Sequence, residues 1–394
     1  MSQRDVVIVD ALRTPTGKGK HSGQLAGVHP ADLLAHTLEG LVGRTGIDPA
    51  RIDDVIAGCV SQAGEQGSNV ARVAALGAGL PETVPGTTID RKCGSSQQAV
   101  HFAAQGVLAG AYDVVVACGV ESMSRVPMFS AVGDADPYGQ RFAARFPKGL
   151  VHQGISAELV AARWGLDRDD LDGFAVSSHQ RLIAASERGD LDAELLPVTT
   201  PGGRATYDEG ARPGTSAETL ARLEPAFRDE VIGARFPEIG WHVHAGNSSQ
   251  IADGASAALI VERSLAEELG LEPLARFRSF SAVGSDPLLM LTGVIPATQQ
   301  ALARANLTID DIDLFEVNEA FASVPLAWQR ELHADPDRLN VNGGAIANGH
   351  PLGATGVKLL ATLVHELVRR GARYGLQTVC EAGGMSNALL LERC

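Results

Sequence analysis

The sequence predicts an α/β protein in which one unit occurs twice. Three observations carry this. Short β-branched runs alternate with helical patterns toward both ends of the chain, which predicts a parallel or mixed sheet covered on both faces. Between about Glu121 and Gly246 the alternation stops, and Gly, Pro and charged residues become frequent. The regions on either side also look like repeats of one another.

Taken in order, residues 6–9 (Val-Val-Ile-Val) read as a buried strand. A helix over 31–42 follows Pro30, which suits a helix start. Residues 55–60 form a second strand, 69–77 a helix and 87–90 a further strand. Residues 95–109 are rich in Ala and Gln with few breakers, hence a helix, and 114–118 are another buried strand. In the interruption, helical patterns occur at 156–163, 168–189 and 217–223. The rhythm then resumes with a strand at 257–261, a helix at 296–305, a strand at 313–317, a helix at 353–370, and strands at 376–380 and 387–391. The division expected is a first half over 1–120 completed by 251–271, an inserted helical loop domain over 121–250, and a second half over 272–394.

The repeat is specific in its parts. The first copy runs Cys93-Gly94-Ser95-Ser96, helix, a strand ending in Cys118, then Gly119 to Ser124. The second runs Gly349-His350-Pro351-Leu352-Gly353, helix, a strand ending in Cys380, then Glu381 to Ser386. A duplicated unit places equivalent loops about a pseudo-twofold axis, so a site shared between the halves is expected.

Composition excludes several classes. The net charge of −14, from 33 basic and 47 acidic residues, repels nucleic acid and anionic membranes. No run approaches the ~20 apolar residues of a membrane span. The apolar stretch at the start is too short for a signal peptide, and Cys394, being last, does not make a prenylation box. The five cysteines, 59, 93, 118, 380 and 394, include no C-x-x-C pair, so neither a disulfide framework nor a zinc site is expected, and a reducing cytoplasm is the default. His242 and His244 have strand-type metal spacing but no ligand partner nearby in sequence, so no metal is expected.

Four segments could carry chemistry. Cys93 precedes a helix, where the dipole, with Arg91 and Lys92, would lower a thiol's pKa; its bland alternative is a small buried hydrophobe. His350 lies among glycines 343, 344, 349, 353 and 356, where a backbone can crowd a ligand and a His can serve a Cys as base. Cys380 ends a strand ahead of Gly383-Gly384, and core packing is the commoner fate of such a residue. Asn318-Glu319 follows the strand at 313–317, at the end where α/β sheets place ligand chemistry.

Together with Arg13-Thr14-Pro15, these segments resemble the signatures of the thiolase family, in order and over the whole chain. Ser96-Gln97-Gln98, 153–158 and 373–377 look most like bacterial degradative thiolases, including those of steroid breakdown. The resemblance implies a five-layered α/β/α/β/α fold and acetyl-CoA C-acyltransferase activity, the cleavage of 3-ketoacyl-CoA by CoA. It implies Cys93 as nucleophile, His350 as its base, and Cys380 as the acid and base of the enolate and CoA thiol. Asn318 would hold a water that forms one oxyanion hole with His350; the N–H groups of Cys93 and Ala382 would form the other. For coenzyme A, a substrate rather than a permanent cofactor, it implies Arg212, Thr219 and Ser249, with His152, Gln153 and Phe321 along the pantetheine arm. Arg212 has the alternative of a solvated loop charge. A homodimer or homotetramer is the family's habit.

Three positions depart from the family: Ser96 and Ala382 stand where Gly is usual, and Gln153 where Met is common. Ala382 adds a Cβ where a left-handed backbone would be costly. The segment 228–242 is longer than usual and has no role assigned. The rival readings are acetoacetyl-CoA synthesis from two acetyl-CoA, an acyl-carrier-type condensing enzyme, against which Cys380 counts, and a non-catalytic acyl-CoA-binding relative.

Overall fold

Strand β1, Val6–Arg13, is buried throughout, and its alternate residues face two different layers. Val7 and Val9 join one apolar cluster, Val6 and Ile8 another. The computed structural model describes residues 4–394; Met1, Ser2 and Gln3, which open the segment read as too short for a signal peptide, lie outside them.

The first half continues with α1, Pro30–Thr45, and β2, Asp54–Gly58. His29 Nδ1 caps α1, and Gly46 ends it at φ 67°. Next come α2, Val70–Gly77, β3, Gly86–Ile89, α3, Ser95–Ala109, and β4, Val114–Ser122. The inserted stretch holds α4, Gln153–Arg163, α5, Arg168–Arg188, and a small hairpin of Val198–Thr200 with Gly203–Ala205. Strand β5, Ala252–Glu262, returns the chain to the sheet. The second half comprises β6, Ala275–Gly284, α6, Val294–Ala305, β7, Leu314–Val317, α7, Ser323–Leu332, α8, Thr355–Arg370, β8, Tyr374–Glu381, and β9, Met385–Arg393.

The strand order is β7-β8-β9-β6-β1-β5-β4-β2-β3. Among the described residues, the strand pairing between the two halves is short, Val7 with Arg276 and Ile8 with Ala275, so one hydrogen-bonded path folds into two facing sheets. Helices α3 and α8 pack on each other and on both halves. Their residues Ala99, Ala103, Val357 and Leu360 share one core with Val6, Ile8, Leu389 and Leu391. Outside the first half, α1 and α2 cover Val7, Val9 and Val55. Outside the second, α6 and α7 cover Phe315, Leu376 and Leu390. Those are the five layers α/β/α/β/α.

The repeat shows in side-chain detail, and it corrects the alignment read from the sequence. Asp53 Oδ2 accepts the N–H groups of Asp113 and Val114 at 2.6 and 2.9 Å. Asp313 Oδ2 accepts those of Arg373 and Tyr374, both at 2.8 Å. The same displacement along the chain links Ser95 to Thr355, the first residues of α3 and α8. It pairs Cys118 with Thr378, Val120 with Cys380, Glu121 with Glu381, and Cys93 with Gly353. The two strand-end cysteines are therefore not equivalent, and each half supplies different parts to the shared site.

Candidate active site

Two glycines bring the two helix starts together. Gly58 faces the backbone of Ser96 and the carbonyl of Gly353; Gly356 faces the backbone of Gln97. A side chain at either position would collide with main chain rather than with a flexible group.

Cys93 sits in a tight turn ahead of α3, with Lys92 at φ 50°. Asp90 Oδ1 accepts the Lys92 N–H at 2.7 Å. Ser95 Oγ accepts from Arg91 N at 2.9 Å and donates to Lys92 O at 2.6 Å. The thiol packs with Met123, Leu352 and Val379, which brings the His350 loop and the Cys380 strand beside it. Each cysteine's charge raises the other's proton affinity where they meet, a direction seen at Cys380. The lowered thiol pKa expected here is not what the fold produces. Burial pushes Cys93 up to about 12, with Glu381, Glu121 and Asp90 adding to it. Lys92 is spent on Asp90 at 2.6 Å and offers the thiol no support.

His350 is 4% exposed, and burial, helped by Lys358, lowers its pKa to about 3, so the ring is neutral. Its tautomer follows from a chain of hydrogen bonds. The Thr355 hydroxyl donates to Pro351 O at 2.9 Å, so it accepts from His350 Nδ1–H at 2.7 Å. Nε2 then carries the lone pair, and Asn318 Nδ2 donates to it at 3.4 Å. Asn318 is fully buried, and its Oδ1 has no partner among the described residues. Lys358 Nζ holds the loop by donating to Asn348 Oδ1 at 2.6 Å and Gly349 O at 3.1 Å.

The other positions divide into those with a structural account and those at or near the surface. Ser96 Oγ accepts the Val357 N–H at 3.0 Å, so the hydroxyl that departs from the family satisfies a helix-start donor. Ala382 is not among the residues with positive φ; Gly383 and Gly384 take the left-handed conformations at 88° and 77°, so the expected Cβ penalty does not arise. His152 caps α4 through Nδ1 and packs on Phe227, whose edge meets Phe321. Gln153 opens α4, half-buried. Ser249 N–H donates to Ala320 O at 3.0 Å, next to Phe321. Arg212 is exposed, with no carboxylate partner among the described residues, and reaches Gln250 Oε1 at 3.1 Å. Thr219 Oγ1 closes a capping box with Ser216 in an exposed short helix. His244 is spent on structure: Nε2 meets Asp172 Oδ1 at 2.7 Å and Nδ1 accepts from Gly246 N.

Several groups have roles that the sequence does not show, Arg13 of the Arg13-Thr14-Pro15 motif among them. Arg13 is buried, with Nε on Glu194 and a two-pronged contact to Asp208 at 2.7 and 2.9 Å. Thr355 and Glu381 were also passed over, though a carboxylate in an otherwise apolar strand end was a visible signal. In the unassigned 228–242 segment, Ile232, Phe236, Ile239 and Trp241 pack on Val151, Ile155, Leu288 and Leu289.

The comparisons agree with this architecture. Models of the thiolase N-terminal and C-terminal domains match residues 6–264 and 271–393. A steroid 3-ketoacyl-CoA thiolase, FadA6, of Mycobacterium tuberculosis is 46% identical, over 99% of this chain and 94% of its own. A 3-ketoacyl-CoA thiolase of Bacillus subtilis is 43% identical over 99% and 100%. An acetyl-CoA acetyltransferase of Pseudomonas aeruginosa is 42% identical over the same shares. The crystal structure of human mitochondrial 3-ketoacyl-CoA thiolase superposes with a TM-score of 0.88 at 34% identity, covering all of both chains. With both domain models matched end to end, the chain belongs to the thiolase family.

Proposed function

We propose that this chain is an acetyl-CoA C-acyltransferase that cleaves 3-ketoacyl-CoA with CoA through an acyl group carried on Cys93. The convergence of Cys93, Cys380, His350 and Asn318 from four separate segments carries this reading. Both the thiol and the imidazole are neutral at rest, so the charged pair forms only as the proton moves from Sγ to His350 Nε2. That transfer turns Nε2 from acceptor to donor, ready for the oxyanion of the attacked carbonyl. The unpartnered Asn318 Oδ1 supports its reading as a water holder beside Nε2. Cys380 then protonates the departing enolate and later takes the proton of the incoming CoA thiol; burial holds its thiol well above the ordinary range, so its thiolate is a strong enough base for that second transfer.

CoA is gripped from the 121–250 region. Arg212, Thr219 and Ser249 are the contacts proposed for it, and the exposed Arg212, which reaches Gln250 rather than a carboxylate, has its charge free for a phosphate. His152, Phe227 and Phe321 form an apolar run for the pantetheine arm. The apolar cluster of 228–242, with the likeness to a steroid thiolase, favours a bulky acyl group. A second reading, acetoacetyl-CoA chemistry, draws on the likeness to an acetyl-CoA acetyltransferase. No described helix is long and apolar enough to cross a membrane. The test is CoA-dependent thiolysis of acetoacetyl-, long-chain and polycyclic 3-ketoacyl-CoA, followed by loss of enolate absorbance. Faster cleavage of the bulky substrates supports the degradative reading. Preference for acetoacetyl-CoA supports the second, and no cleavage of any overturns both.

A further inference from the structure

Glu381 follows Cys380 in the chain and is fully buried, and neither of its carboxyl oxygens has a hydrogen-bond partner among the described residues. Its counterpart in the first half is an internal control. Glu121 is equally buried, yet it accepts four donors: Val60 N, Gly353 N, Ser61 N and Gln66 Nε2, at 2.8 to 3.0 Å. Glu381 is therefore left without the support that the same position receives across the pseudo-twofold axis.

Its neighbour resolves the discrepancy. Asn387 Oδ1 is also buried and also lacks a partner among the described residues. A Cβ on Gly94 would fall 3.0 Å from Asn387 Oδ1 and closer still to Glu381 Oε1, so both orphan acceptors crowd the residue after Cys93. Two acceptors crowding one point repel, and a proton on the carboxyl would turn one of them into a donor for the other. The Asn387 amide is itself oriented by Nδ2, which donates to Gly94 O at 3.4 Å and leaves Oδ1 as the free end.

We propose that Glu381 is a positioning residue held as a neutral carboxylic acid, its O–H donated to Asn387 Oδ1, and that this neutrality is what lets the two neighbouring thiols ionise. Losing that proton to bulk water would place an anion behind Cys93 and beside Cys380 and make each thiolate harder to form. The other charged groups acting on this carboxyl are Asp90 and Arg91, which oppose one another, while Glu121 and Asp90 also act on Cys93. Burial is the largest influence and moves the Glu381 carboxyl up to about 8. The inference rests on the roles given above to Cys93 and Cys380.

The test is the rate of Cys93 alkylation by iodoacetamide, read by peptide mass spectrometry from about pH 6 to about pH 10, in wild type and Glu381→Gln. The amide keeps the shape and the donor to Asn387 but holds no charge. The two curves should meet below about pH 8 and separate above it, the variant reacting about tenfold faster or more. Superimposable curves overturn the proposal; a purely structural role would move the melting temperature and not this profile. Should the amide variant fail to fold, Glu381→Leu, equally unable to ionise, carries the same comparison. Thiolysis assayed on the same preparations separates the two claims. Absent thiolysis sinks the reaction while the alkylation comparison stands, and intact thiolysis with superimposed curves sinks Glu381 alone.

Discussion

Replacing Thr355 with Val tests how the fold prepares His350. The hydroxyl is fully buried and makes two bonds: it donates to Pro351 O at 2.9 Å and accepts from His350 Nδ1–H at 2.7 Å. Valine fills nearly the same space, so packing changes little, but Nδ1–H is left buried without an acceptor. Such an orphan costs about 1–3 kcal/mol. The ring escapes that cost by moving its proton to Nε2, which is then the wrong nitrogen to receive the Cys93 proton. At about 1.4 kcal/mol per tenfold in rate, kcat/KM should fall roughly 5- to 150-fold. Thr355→Ser keeps the hydroxyl and should recover most of the loss. The assay is thiolysis at saturating CoA, with unfolding curves to confirm that both variants are folded. Activity of the valine variant within twofold of wild type, or equal losses in the valine and serine variants, would refute the tautomer argument.

Three further outcomes are expected. Arg13→Met should destabilise the fold by roughly 3–5 kcal/mol at neutral pH, because it leaves Glu194 and Asp208 buried and unpaired. Although burial raises the Asp208 pKa, Arg13 brings it below the ordinary 3.8, so the pairing stabilises above that value and is lost as pH falls. Urea midpoints should therefore differ most near neutrality and converge in acid. Glu381→Gln should stabilise the protein, since a carboxyl raised from 4.5 to about 8 makes the fold lose stability as pH climbs through that window. The gain measured by urea unfolding above about pH 8 has an upper bound of roughly 5 kcal/mol, and no gain would mean that folding leaves the carboxyl's proton affinity where it is in the unfolded chain. Ala382→Gly should leave thiolysis within about twofold and cost about 0.5–1 kcal/mol by loosening the unfolded chain, because Ala382 already has negative φ. A large rise in rate would show that the methyl group obstructs the site.

Much of the fold was written locally. Helix α3 begins and ends where the sequence places it, at Ser95 and Ala109, because Gly94 and Gly110 bracket a run with few breakers. Strand β6 was not legible. Its inward positions include Ser279 and Ser281, whose hydroxyls donate to Ala301 O and Ala297 O at 2.7 Å, and its outward ones include Arg278. Small polar residues facing inward erase the apolar alternation that announces a strand. Helix α7 carries Pro325 within its first turn, which masked it in the same way. The site was legible as a set of motifs but not as electrostatics. A thiol ahead of a helix reads as acidified, yet the sealed turn around Cys93 reverses the sign. The tautomer of His350 and the unpaired state of Glu381 depend on partners far along the chain or on their absence, and no spacing records either. The matching Cys118 and Cys380 misled, because a residue type was aligned where the Asp53 and Asp313 hydrogen bonds fix a different register.

The central claim is that Cys93 carries the acyl group and Cys380 only moves protons. Cys380→Ser should slow turnover by orders of magnitude while leaving acylation possible. Incubating that variant with a 3-ketoacyl-CoA and mapping its peptides by mass spectrometry tests the claim directly. The account predicts one acyl adduct, on the peptide containing Cys93, and none in Cys93→Ala. An adduct on another residue, or full turnover in Cys93→Ala, would contradict it.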